Sequence, residues 1–74
     1  MYRSAQLEDY RRSLAEYDEI LKQFEDQYGM DSAYANSEFE AGRLGDAMDY
    51  FEWTGIYALR ESVLKRMAQI EAVA

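Results

Sequence analysis

The residues of this 74-residue chain best suited to act on another molecule are carboxylates and aromatics gathered around two glycines. Glu38, Glu40, Asp46, Asp49 and Glu52 bracket Gly42 and Gly45, and Tyr50, Phe51 and Trp53 follow at once. Two carboxylates held together can run general acid–base chemistry or hold a magnesium ion. The other parts of either site are missing. With no His and no Cys, the chain has no triad, no thiol nucleophile and no imidazole base. The Glu-x-x-His of carboxylate-bridged metal bundles is absent for the same reason, and no twelve-residue calcium loop is present. Gly42-x-x-Gly45 lacks the lysine and the remaining spacing of a phosphate loop, and no strand precedes it. The expectation is no enzyme, no cofactor and no metal. The carboxylates are then either solvated partners of helix starts or a patch that steers an encounter.

The charge is uneven. Residues 16–52 hold eleven carboxylates against Lys22 and Arg43, a balance of −9, while residues 1–15 and 53–74 are each +1, giving −7 overall. Such a balance argues against a nucleic-acid backbone as ligand and favours a basic protein surface; plain solubility is the simpler alternative. The helices lack the basic faces that anionic lipids attract, and no stretch approaches a membrane span. The absence of Cys suits a reducing cytoplasm, and the opening Met1-Tyr-Arg-Ser-Ala-Gln-Leu-Glu-Asp9 does not read as a signal peptide. Without disulfides, and with no metal expected, a core this small supplies only about 3–5 kcal/mol, so self-association or a partner is the aid left open.

The elements that position these residues are helices. Leu7, Tyr10, Leu14, Tyr17, Leu21, Phe24 and Tyr28 recur at alternating spacings of 3 and 4, the seam of a left-handed helix pair. Glu8–Arg12 and Asp18–Lys22 stand four apart as helix-surface ion pairs. Gly29 is a helix stop, Asp31 or Ser32 a cap, and a short helix reaches Gly42 with Met30, Tyr34 and Phe39 as its apolar residues. Asp46 reads as the N-cap of a third helix carrying Trp53, Ile56, Tyr57, Leu59, Val63, Leu64, Met67 and Ile70. This last stripe is roughly 160° wide at 100° per residue, and a wide stripe needs two neighbours. Gly55 inside it either permits a close helix approach or is a tolerated cost.

The fold expected is all-α: an antiparallel hairpin of two long helices, about 3–28 and 47–71, with a short helix at about 32–41 in the turn. It forms a single domain over residues 1–74, dimerising into a four-helix bundle through Ile56, Val63, Met67 and Ile70. Eleven aromatics, seven of them Tyr, either fill the small core or form a partner face. Phe51 falls opposite Trp53, either under the short helix or exposed as an anchor.

Tyr28-Gly-Met30, Phe39 with Gly42, Leu44-Gly-Asp46 and Asp49-Tyr-Phe-Glu-Trp53 resemble a family of very small bacterial and archaeal helical proteins. In these a YGM…F…G-LGD-DFFEW block precedes a long charged helix, over residues 28–67 of this chain. Many members resemble antitoxin-type partners of two-gene toxin–antitoxin modules. The resemblance implies a role and not a mechanism, and no site residues transfer with it. The chain has no ribbon-helix-helix or helix-turn-helix sequence for binding an operator. Two functions follow as expectations. One is a binding module that neutralises a small basic protein such as a toxin, steered and anchored by Asp46, Asp49, Tyr50, Phe51, Glu52 and Trp53. The other is a homodimeric structural bundle with no further partner.

Overall fold

The computed structural model describes residues 2–72 as three helices: α1 (Tyr2–Tyr28), α2 (Ser32–Glu40) and α3 (Met48–Ala72). α1 and α3 form the long hairpin and α2 lies against α3 at its closed end, while α1 and α2 meet only slightly. The expected order and near-expected bounds of the helices are thus found.

The breaks between helices are set by glycine and one Asp. α1 ends where Gly29 takes φ 66°, a left-handed conformation that side chains disfavour; the Gly29 N–H still donates to the Glu25 carbonyl at 2.8 Å. Asp31, in extended conformation, caps α2 by accepting the Ala33 N–H through its side chain at 3.2 Å. α2 closes with Gly42 at φ 74° and the Arg43 N–H returning to the Glu38 carbonyl at 2.9 Å. The Arg43 guanidinium also grips the Glu38 carboxylate at 2.5 and 3.2 Å. That contact holds the Glu38 carboxyl below its usual range.

Two local expectations are corrected. α3 starts at Met48, with the Tyr50 N–H donating to the Ala47 carbonyl. Ala47 therefore precedes the helix, and Asp46, one residue too early to cap it, stays exposed. The surface ion pairs are also redrawn. Arg12 meets Asp9 and Lys22 meets Asp26, while Asp18 crosses the hairpin to Arg60 at 2.6 Å. An arginine projecting toward the opposite helix offers a better-fixed donor than a lysine one turn away.

Each helix contributes one buried residue to a common cluster: Leu21, Ala35 and Trp53. Phe24, Tyr28, Met30, Leu44, Tyr50, Ile56 and Tyr57 pack around it at the closed end of the hairpin. Val63 is buried further along α3. On α3 the inward-facing positions are Asp49, Trp53, Ile56, Arg60, Val63, Met67 and Ile70, again at alternating spacings of 4 and 3. Leu59 and Leu64 fall on opposite flanks of this seam and remain exposed. The wide apolar stripe is therefore a narrow seam with an apolar residue on either side. No helix among the described residues is long and apolar enough to cross a membrane.

Candidate functional site

The closed end is built around Trp53, which is fully buried. Its indole lies nearly parallel to Phe24 and Tyr28 of α1, with both ring centroids at 5.6 Å. The indole N–H donates to the Ser32 hydroxyl oxygen at 2.9 Å, and the Ser32 O–H donates to Glu25 at 2.7 Å. The same Glu25 oxygen accepts the Ser32 backbone N–H at 2.9 Å. Ser32 is the first residue of α2, so a carboxylate from α1 satisfies one of that helix's orphan donors. One serine ties all three helices together.

A second polar tie lies beside it. The Tyr28 hydroxyl donates to the Asp49 carboxylate, and the Tyr28 ring tilts against Tyr50 at 5.3 Å. The hydrogen bond to Asp49, with burial and that negative charge adding to it, pushes the Tyr28 phenol up to about 12. Phe51 projects away from Trp53 and meets Phe39 edge to face at 5.1 Å.

These contacts divide the six residues expected to bind a partner. Trp53 is enclosed and cannot anchor anything outside the chain. Tyr50 is half-buried in the same aromatic cluster, and Asp49, half-buried, is engaged by Tyr28. Asp46, Phe51 and Glu52 remain exposed. Met48, which no sequence reading marked, stands beside them at 80% exposure, with Phe51 at 52%. The four residues expected to mediate self-association lie on the inward-facing seam of α3, in line with Asp49 and Trp53. Val63 is buried by the chain itself, and Ile56, Met67 and Ile70 are half-buried.

A groove of about 370 Å³ opens between the helices, lined by Asp18, Leu21, Glu25, Ser32, Tyr57 and Arg60 among others. Its polar groups are largely committed to each other: Arg60 to Asp18, Glu25 to Ser32. Burial, followed by the nearby Glu61 carboxylate, raises the Tyr57 phenol. Among the described residues no group of three or more acidic, His or Cys side chains is placed to hold a metal ion. The arrangement at the closed end is suited to contact with a surface, with exposed apolar side chains among carboxylates.

The Ser32–Glu25–Trp53 tie escaped the sequence reading because its members are 7 and 21 residues apart. The trace it left is a serine directly after a capping Asp, which can face inward only if something accepts its hydroxyl proton. Compared with models of protein families, with curated proteins and with solved structures, the chain matches none.

Proposed function

We propose that this chain is a small helical protein-binding module whose closed end engages a basic protein, in the manner of an antitoxin-type partner. The observation that carries the reading is the exposed pair Phe51 and Met48, on a segment whose carboxylates Asp46 and Glu52 have no basic partner among the described residues. An aromatic held at one edge by Phe39 is ordered before contact, which lowers the cost of using it as an anchor. The unneutralised carboxylates supply long-range attraction for a basic surface and little affinity by themselves. The resemblance of residues 28–67 to antitoxin-type partners points the same way.

The test is native mass spectrometry of the tagged chain purified gently from its own cells, beside Phe51→Ala and Asp46→Lys. A stoichiometric complex with a small basic protein, lost in Phe51→Ala and assembling more slowly in Asp46→Lys, is the expected result. Recovery of the chain without any second polypeptide overturns the reading.

A further inference from the structure

One flank of α3, beside the seam that packs on α1, is exposed from end to end. Met48, Glu52, Gly55, Leu59, Ser62 and Arg66 follow at alternating spacings of 4 and 3, and all six are exposed. This is a second heptad seam, each of its residues directly preceding an inward-facing position and so turned about 100° from the seam that packs on α1. Met48 is 80% and Leu59 48% exposed, and no atom lies within 4 Å of the place a side chain would take on Gly55. The seam is apolar at two levels, small at two others, and charged at Glu52 and Arg66. Neither charged residue, nor Lys65 beside them, has an ion-pair partner among the described residues.

We propose that a second copy of this chain packs on this face, with the two α3 helices antiparallel. The pattern is self-complementary only in that direction. Turned end for end about a twofold axis near Tyr57, Leu59 of each copy meets Gly55 of the other. Met48 then faces Arg66, and Glu52 lies within reach of Arg66 of the other copy. A parallel pair would stack Asp46 and Glu52 against their own images and leave Lys65 and Arg66 facing each other, which charge repulsion disfavours. Gly55 lets the helices approach closely, with room for the Leu59 side chain of the opposing copy.

The shape of the chain agrees. Its exposed surface is 5280 Å², where a compact monomer of this mass exposes about 4,700 Å². The excess is what an elongated protomer with an uncovered face would show. In the antiparallel pair the two closed ends lie at opposite extremities. Met48 and Glu52 are taken up by the dimer contact, and Asp46 and Phe51, the latter beside its own Phe39, stay at its margin, open to a partner. The proposal therefore goes beyond the partner-binding reading and needs no partner for its test.

Sedimentation velocity of the purified full-length chain decides the question, with circular dichroism to confirm that each variant stays helical. The wild type is expected to dimerise. Glu52→Arg should weaken the dimer on the order of tenfold, and the double variant Glu52→Arg/Arg66→Glu should restore it. The chain has no cysteine, so Ala58→Cys, next to the axis, should oxidise to a covalent dimer, while Ala15→Cys on the exposed side of α1 should not. A wild type that stays monomeric up to its solubility limit overturns the proposal. So does a charge swap that fails to restore a helical dimer, or equal cross-linking through both cysteines.

Discussion

Ser32 occupies the most consequential polar position in the molecule. It is buried, accepts from Trp53 and donates to Glu25, so its loss leaves a buried indole N–H with no acceptor. Such an orphan costs about 1–3 kcal/mol, a large share of what a domain of this size has to lose. Ser32→Ala is therefore expected to lower the urea midpoint markedly, followed by the fluorescence of the sole tryptophan. The attribution to the indole can be checked in a Trp53→Phe background, monitored by circular dichroism. There the same change should cost about 1 kcal/mol less, because the donor is gone. Strict additivity of the two changes would place the energy elsewhere.

Tyr28 gives the residue scale its pH dependence. The bond to Asp49 holds the phenol proton until about pH 12 in the folded chain, against about 10 in the unfolded one. Between those values the unfolded state has released a proton that the native state keeps, so stability falls as pH rises. The contribution is fully present below about pH 10 and is lost as pH rises toward 12. Tyr28→Phe should be less stable than wild type at neutral pH, and the gap should close above pH 10. A gap that stays constant to pH 12 would mean that Asp49 does not hold this proton.

At the scale of elements, the helix limits were written in the sequence as single residues. Gly29 and Gly42 end α1 and α2 because both need positive φ, and the seam of α1 showed in its alternating spacings because nothing interrupts it. Two glycines with opposite duties make this testable. Gly29→Ala places a side chain at φ 66° and should cost about 1 kcal/mol. Gly55→Ala sits in a regular helix with open space around it and should stabilise the monomer by about 0.5–1 kcal/mol. Chemical denaturation at a dilution where the chain is monomeric compares the two. Direction was legible too: at about 100° per residue Phe51 and Trp53 project roughly 200° apart. What the sequence left open was contact, whether Phe51 lies under α2 or stands exposed; it touches Phe39 edge to face and is still 52% exposed. A cap at Asp46 fails because the loop runs one residue further than that cap requires.

At the scale of the whole molecule, elongation and charge act together. The chain measures 44 × 21 × 17 Å with a radius of gyration of 14.3 Å, where a compact chain of this length has about 11 Å. The acidic segment lies around the closed end, where residues 16–52 carry −9 in a volume smaller than the Debye length at low salt, about 30 Å at 0.01 M. Those charges repel one another more in the folded hairpin than in an expanded chain, and salt should relieve the repulsion. The ion pairs work the other way, but they lie largely at the surface and each is worth at most about 1 kcal/mol. Repulsion among many carboxylates should outweigh a few such pairs. Raising sodium chloride from about 0.01 to 0.5 M is therefore expected to increase the melting temperature by about 4–8 °C, the equivalent of about 1 kcal/mol in a domain of this size. Chloride rather than sulfate keeps the exclusion effects of kosmotropic anions out of the comparison. The melts belong at high dilution, since the Glu52–Arg66 contacts of an antiparallel pair would weaken in the same salt. A melting temperature that falls with salt in the dilute chain would mean that the Asp18–Arg60 and Glu38–Arg43 pairs govern its stability. The acidity of the closed end would then be cheap to maintain, and its presence would need no partner to explain it.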